Sequence, residues 1–182
     1  MSEILGVLFK YLLAAFAIVA VLSILYEAIS SNNTSTAISD LTQIQARVYQ
    51  LCSGESSLDT LTTPSSLIAS GILPHDMLSS SSSTGIIDTW GGAVQIQQTI
   101  SSGAVTSLTF PDVPLSACTK LTVSATQVGT SVTVGSSTAY PNDPNLVSEA
   151  ATNCTAAGTS TVPMTFNFYP NSVASSSASS QQ

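Results

Sequence analysis

The first thirty residues constrain this chain more than any other segment does. Ile4 to Tyr26 is an almost unbroken apolar run, with Lys10 as the one charge inside it and Glu3 just before it. As an α-helix, these residues span about 34 Å, enough to cross a hydrocarbon core of about 30 Å. A secretory signal peptide fits poorly, because the run is longer than an h-region and an acid precedes it instead of a base. We call residues 1–30 the stem and predict that it is a transmembrane helix.

The helical pattern continues beyond the stem, over residues 31–53, where it becomes amphipathic. Apolar residues recur at intervals of three and four, and polar residues occupy the opposite side. The apolar positions are Ile38, Leu41, Ile44, Val48 and Leu51, and the polar ones are Asp40, Gln43, Arg47 and Gln50. We therefore predict one helix from near residue 2 to near residue 52. The alternative is a real break at Asn32-Asn33-Thr34.

The composition points to an exported protein. Only 7% of the residues are charged, against about 25% in globular proteins, and the net charge is −7. The three basic residues, Lys10, Arg47 and Lys120, are scattered, so the sequence offers no basic patch to bind the phosphates of a nucleic acid. A surface that is poor in charge and rich in Ser and Thr suits export. Residues 54–182 are long enough to form one globular domain with its own core.

Alternating patterns in residues 54–182 predict a β-sheet. Residues 94–97 and 106–110 alternate apolar with polar side chains, and the turn residues 101–103 between them indicate a hairpin. Val132 and Val134 indicate another strand, and residues 164–168 indicate the last one. The apolar face of residues 31–53 can pack on such a sheet. The predicted fold class is therefore α+β.

Two helices are predicted in the same region. A short one over residues 64–70 would be closed by Gly71. A longer one would open at Asp112 as its N-cap, have Pro114 in its first turn and end at Gly129. Its inner stripe would be Leu115, Cys118, Leu121 and Ala125. The serine-rich residues 79–84 and 173–182 have little to bury, so they are predicted to be a loop and a tail.

Three cysteines, Cys52, Cys118 and Cys154, allow one disulfide and leave one thiol. A bond is expected in an oxidising compartment outside the cytoplasm. The spacing matches no zinc pattern, because the sequence has neither a CxxC pair nor paired histidines. Three pairings are possible from the sequence alone. Since Cys52 falls on the apolar stripe at the end of the helix, we expect it to be the buried odd thiol.

No motif in the sequence indicates catalysis, a metal or a cofactor. The one histidine, His75, lies in a string typical of a surface turn, and no GxSxG elbow accompanies it. The aspartates do not form the DxDxDG loop that binds calcium. Asp88 to Gly92 (DTWGG) has two glycines that permit close backbone approach, and Trp90 can cover the edge of a core. We interpret it as a turn entering the first strand, with a ligand site as the alternative.

Several strings, taken in order, carry a resemblance to a known family. They are ISDLTQIQARVYQL (38–51), LIASGILPHDM (67–77), DTWGGAVQI (88–96) and LTFPDVPLSACTKL (108–121), followed by Cys154 and MTFNF (164–168). In their order and spacing they resemble a type IVb pilin, particularly the PilS-like pilins of conjugative thin pili. The resemblance covers nearly the whole chain.

The resemblance implies a fold, a disulfide and a function. Such pilins have a long N-terminal helix packed on an antiparallel sheet, so the stem would be a membrane helix first and a filament core later. They carry a disulfide near the C-terminus, which here assigns the bond to Cys118 and Cys154. They are structural subunits without catalysis, held in the inner membrane until a pilus assembly machinery adds them to an extracellular homopolymer on the bacterial surface.

The chain departs from the family pattern at its start. Pilin precursors carry a short basic leader ending in glycine, and since none is visible here we interpret the sequence as the processed form beginning at Met1. The family's acidic residue lies at the fifth mature position, where this chain has Leu5. The acid here is Glu3, so either the register of the N-terminal assembly contact differs from the family's or Met1 is not the mature terminus.

Glu3 and Lys10 are predicted to be the subunit-assembly residues. They are seven positions apart, which puts them on nearly the same helix face but about 10.5 Å apart along the axis. That is too far for a pair within one chain, so we expect Glu3 of one copy to meet Lys10 of another. One alternative is that Lys10 snorkels to lipid headgroups and Glu3 stays in the interface. Another is that Glu3 meets the N-terminal amine instead of Lys10.

These observations leave three classes of function. The leading hypothesis is a structural pilin subunit that polymerises, with a minor pilin or tip adhesin as the variant that shares every feature. The second is a pseudopilin of a secretion machine, which would form only short assemblies. The third is an exported enzyme tethered to the membrane, against which the lack of a catalytic constellation in the sequence argues.

Overall fold

The computed structural model describes residues 2–52, 63–79, 85–99, 105–156 and 160–168. Its helices are α1 (Ser2–Cys52), α2 (Pro64–Ala69), α3 (Leu115–Gln127) and α4 (Leu146–Ala156), with a 3-10 helix at His75–Met77. Its strands are β1 (Gln95–Thr99), β2 (Val105–Pro114), β3 (Ser131–Val134), β4 (Ser137–Ala139) and β5 (Thr161–Phe168). The loop predicted from residue 80 to 84, the turn at 101–103 and the tail at 173–182 lie outside the described residues.

Helix α1 is continuous over its 51 residues. It passes through Asn32-Asn33-Thr34 without interruption, so the alternative of a break there is wrong. By compactness the chain forms two units, Met1–Asn33 and Thr34–Gln182. We call the second one the head unit. It contains the amphipathic half of α1 and every other element.

The head unit is built on one five-stranded antiparallel sheet with the order β1-β2-β5-β3-β4. The predicted hairpin is the pair β1–β2, in which Ile96 lies opposite Leu108. The row continues across the sheet from Leu108 to Phe166 in β5, then to Val132 in β3. Because side chains alternate along each strand, this row and its neighbours two residues away share one face. That face is the apolar one.

The core of the head unit lies between this face and the helices. Phe110 and Phe166 pack edge to face with their ring centroids 5.0 Å apart, and both are fully buried. The amphipathic half of α1 covers them with four buried side chains, and α3 adds three. These seven are Ala37, Leu41, Ile44, Val48, Cys118, Leu121 and Ala125. The core stripe predicted for each helix thus contributes to one continuous core.

The opposite face of the sheet is polar but uncharged. Thr109 and Thr165 join their hydroxyls at 2.9 Å across β2 and β5, and Thr133 and Thr138 do so at 3.0 Å across β3 and β4. Cross-strand hydroxyl pairs of this kind stabilise a sheet modestly.

The predicted N-cap of α3 at Asp112 is wrong. The strand β2 continues through Pro114, which is itself the N-cap, and α3 begins at Leu115. Val113 and Pro114 pair with Val162 and Thr161 of β5, which holds them extended. The register shifts between Phe110 and Val113, so Asp112 sits in a β-bulge and is exposed. Tertiary pairing here overrides the local capping signal.

Two elements went unpredicted, β4 and α4. β4 has only three residues, too few for an alternating pattern to stand out. In α4 only Ala150 and Cys154 are buried, one helical turn apart. Two small buried residues give almost no hydrophobic periodicity, so the sequence does not predict α4. The position of α4 in the fold is fixed by the disulfide of its cysteine.

The disulfide joins Cys118 of α3 to Cys154 of α4, with the two Cα atoms 6.0 Å apart. This is the pairing that the family resemblance implied. Both cysteines are buried, so the bond pins α4 onto α3 from inside. The side chain of Cys52 lies outside the described residues, and its assignment as the odd thiol stays a prediction.

We predict that peptide mapping without reduction yields one linked pair, Cys118–Cys154, and a Cys52 that alkylates as a free thiol. The bond closes a loop with a sequence separation of 36, so replacing both cysteines by Ala should lower the free energy of unfolding by roughly 3 to 4 kcal/mol. Denaturant unfolding of both proteins gives that difference. A linked peptide containing Cys52 would contradict the pairing.

Candidate assembly surface

The stem exposes large apolar side chains on all sides. Thirteen of them between residues 7 and 29 are 47–72% exposed: Val7, Phe9, Tyr11, Leu12, Leu13, Phe16, Ile18, Val19, Val21, Leu22, Ile24, Leu25 and Ile29. They occupy every direction around the helix axis instead of one stripe. A helix that is apolar all round belongs in lipid or in a bundle, because water provides no favourable surroundings for it.

Within the described residues, one helix is long and apolar enough to cross a membrane. This helix is α1, and its apolar stretch is not buried by the rest of the chain. The criterion rests on length and composition. It agrees with the transmembrane segment predicted from Ile4 to Tyr26.

Lys10 lies on the exposed surface of the stem helix. Glu3 is in the first turns of the same helix, but its side chain lies outside the described residues. Within one α1 the two residues keep the seven-residue separation that prevents them from meeting. The intersubunit pair therefore stays a prediction.

The buried face of the amphipathic half of α1 differs from the predicted one at two residues. Leu41, Ile44 and Val48 are buried as expected, but Leu51 is 45% exposed, so its assignment to the inner stripe is wrong. The buried face ends at Val48, one turn before the helix does. Asp40, predicted on the polar side, is only 3% exposed and is a second correction.

Asp40 is buried because a second segment covers the flank of α1. Residues 71–78 run along this flank in the opposite direction, with Ile72, Leu73 and Met77 buried in the core. Arg47 meets the start of the segment, and Asp40 meets Asp76 near its end. Asp40 and Arg47 are seven residues apart and share this flank. Both residues were predicted on the polar, solvated side of the helix, because no local sequence pattern indicates that residues 71–78 cover them.

Arg47 ties the segment to the helix through backbone carbonyls. Its guanidinium donates to the carbonyl of Gly71, to that of Ile72 at 3.4 Å and to that of Leu73 at 3.1 Å. These carbonyls belong to the segment that follows α2. Nη1 of Arg47 makes all three contacts, so one charged group holds three successive backbone acceptors. Sequence reasoning missed this role.

The Asp88–Gly92 string forms the turn that was predicted. Oδ1 of Asp88 accepts hydrogen bonds from the amides of Trp90 at 2.9 Å and Gly92 at 2.8 Å. Gly91 has φ of 87°, and a Cβ on Gly92 would lie 2.7 Å from Oδ2 of Asp88 and 2.8 Å from Cγ of Pro111. Burial raises the pKa of Asp88, and the two amides oppose that shift. Trp90 packs against the core, so these residues serve the turn itself.

The structure describes the surroundings of His75. His75 is exposed in the 3-10 helix, and the neighbouring Asp76 carboxyl turns to Asp40 instead. Among the described residues, no group of three or more His, Cys, Asp or Glu side chains could hold a metal ion.

The chain combines a long N-terminal helix with an antiparallel five-stranded sheet and a disulfide between α3 and α4. The crystal structure of a type IV b pilin from Salmonella typhi shares this fold with a TM-score of 0.56 at 19% identity, covering 74% of this chain and 98% of that one. The family model described as PilS N terminal matches residues 31–167. The chain belongs to the PilS family of type IVb pilins. A search of curated proteins finds no match.

The family and the fold support a pilin subunit. Pilin family and fold are structural rather than enzymatic, and the family implies assembly into a pilus polymer. The exposed stem is consistent with membrane anchoring before assembly. The residues matched by the family model, 31–167, include the amphipathic half of α1 and therefore Arg47 and the carbonyls to which it donates.

We predict that Arg47→Met destabilises the head unit by about 1.5 to 3 kcal/mol, because three carbonyls lose a charged donor. Arg47→Lys should lie between wild type and Arg47→Met in stability, because it keeps a positive charge but loses the planar guanidinium. Denaturant unfolding of full-length protein in micelles measures both. Lys120→Met removes an exposed cation on α3 and serves as the control. Equal stability of Arg47→Met and Lys120→Met would contradict the role assigned to Arg47.

Proposed function

We propose that this pilin polymerises through its stem into an extracellular type IV pilus filament. The observation that carries the proposal is the exposure of apolar side chains on every side of the stem. Before assembly the inner membrane covers that surface. In a filament, the stems of other copies cover it instead.

Burial of apolar area holds the stem inside the filament once it has left the lipid. Each square ångström removed from water contributes roughly 25 cal/mol, and the stem offers thirteen large side chains. Since lipid tails already satisfy this surface, leaving the membrane must be driven by an assembly machinery and then retained by tight packing. The stem's all-round apolarity is what allows it to exchange lipid for neighbouring stems on several sides.

The geometry of such a contact favours an open filament over a closed ring. Each stem would present one side to a copy above it and another side to a copy below it, which is a heterologous contact. Heterologous contacts that do not close repeat along an axis and give a helical polymer. The uncharged hydroxyl face of the sheet is then suited to remain in water.

We predict that filaments sheared from cells contain this chain as their bulk protein. The test is to shear, sediment and identify the sheared material by mass spectrometry, followed by imaging of its length. Long filaments in which this chain is abundant support a major pilin. Trace amounts in filaments made of another protein would indicate a minor pilin or tip adhesin, and only short membrane-bound assemblies would indicate a pseudopilin.

Within the filament, we infer that Glu3 of one copy pairs with Lys10 of another. An unpaired charge in an apolar bundle loses its hydration with nothing in return. A neighbour shifted by about 10.5 Å along the axis brings the two to the same level. The pair would destabilise stems packed at a wrong axial offset more than it would stabilise the correct one. Its main effect would be to set the register between neighbouring stems.

We predict that Lys10→Glu and Glu3→Lys each abolish filaments, whereas the double swap restores some of them. The yield of sheared filaments, normalised to the chain in the membrane fraction, measures the effect. Lys120→Glu, the same change on the exposed surface of α3, is the matched control and should assemble normally. Normal assembly of Lys10→Ala would contradict the pair and favour a lysine that snorkels to the headgroups.

A further inference from the structure

Two carboxyl groups of the head unit face each other across the flank of α1. Asp40 in α1 and Asp76 in the 3-10 helix line the same cavity, and their side chains interact there. Asp40 is buried and Asp76 is exposed. Two ionised carboxylates offer only acceptors, so a hydrogen bond between them requires a proton on one of the two. The buried partner is the one that gains more from carrying it.

The surroundings give the pair no basic partner. Both aspartates line a cavity of about 300 Å³ together with Thr36, Met77 and Asp88. Of the described residues that line it, none is basic, and the third acid is Asp88. Arg47, on the same flank, lies two turns from Asp40 and donates to the carbonyls of residues 71–73, and the exposed His75 beside Asp76 is not among the lining residues.

We propose that Asp40 and Asp76 share a proton and so form a pH-sensitive clasp between α1 and the 71–78 segment. In mildly acidic surroundings the proton joins the two carboxyl groups. When the proton leaves, two negative charges face each other in a site without a basic partner, and the clasp opens. The segment is then held by Arg47 and its apolar side chains alone.

The direction of the pH effect follows from Asp40. Burial, with the charge and the hydrogen bond of Asp76 as further causes, raises the pKa of Asp40 from 3.8 to about 6. Between these values the folded protein holds a proton that the unfolded chain has released. Stability therefore falls as the pH rises from about 4 to about 6 and changes no further above that window. This is opposite to the usual carboxylate, whose protonation destabilises the fold.

Opening the clasp would be felt at the neighbouring backbone bonds. The amide of Ile87 donates to the carbonyl of Met77 at 2.9 Å, and the amide of Leu78 donates to that of His75 at 3.2 Å. Both bonds lie at or beside the 3-10 helix that carries Asp76. Trp90, the single tryptophan, stands between two residues that line the cavity, Thr89 and Gly91. It is a built-in reporter of this site.

The test compares full-length wild type with Asp40→Asn in micelles of an uncharged detergent, so that no filament is needed. Asparagine mimics the protonated acid, because its amide can donate to Asp76 at any pH. The melting temperature is followed by Trp90 fluorescence from pH 5.0 to pH 7.5. We expect Asp40→Asn to gain roughly 3 to 6 °C on the wild type as the pH rises across this range. The amides of Ile87 and Leu78 should exchange hydrogen faster at pH 7.5 in the wild type than in the variant, after correction for intrinsic rates.

Two further variants sharpen the result. Asp76→Asn, on an exposed side chain, should reduce the pH dependence in part, because burial of Asp40 persists. Glu149→Gln, the same kind of change at an exposed site on α4, should leave the difference from wild type constant across the range.

Two outcomes would overturn the proposal. One is a difference between wild type and Asp40→Asn that does not change with pH, since no proton would then be taken up on folding. The other is a melting temperature of the wild type at pH 7.5 that rises by several degrees on adding about 1 mM CaCl₂ or MgCl₂, with no such rise for Asp40→Asn. The carboxylates would in that case share a divalent cation and not a proton.

Discussion

The head unit depends on the burial of one face of α1 against the sheet. Ala37, Leu41, Ile44 and Val48 supply that face, and the three phenylalanines of β2 and β5 receive it. At roughly 25 cal/mol per Å² this burial is the largest single stabilising contribution available to an uncharged fold. It also ties the stem to the head, because the same helix continues into both. Without it, the stem would be an apolar helix joined to a sheet that has lost its cover.

The scarcity of charge gives each charged residue of the head a separate task. Arg47 gathers the carbonyls after α2, and Asp88 organises the turn before β1. Asp40 meets Asp76 in a site with no basic neighbour among the described lining residues. The contacts described for Arg47 and Asp88 are with backbone groups, and that of Asp40 is with another acid.

The sequence predicts the helix, the hairpin and the core of this fold because each has a strong periodic signal. Leu41, Ile44 and Val48 recur at helical spacing, and Met164, Phe166 and Phe168 alternate as a strand. The failures have one cause, which is tertiary cover. Asp112 is held in a strand by β5, Asp40 is covered by residues 71–78, and α4 is secured by a disulfide that local sequence does not reveal. On the candidate surface, the stem was predictable from composition, whereas Arg47 and Asp40 were not.

The last strand of the chain occupies the middle of the sheet. β5 is bonded to β2 on one side and to β3 on the other, and Met164, Phe166 and Phe168 fill the centre of the core. Until residues 161–168 have arrived, β1–β2 and β3–β4 are two separate ribbons, neither of which has a core to close. The stem is therefore synthesised long before the head can fold. A chain truncated before β5 would keep α1 but lack the strand that joins the two ribbons, so its head could not close a core.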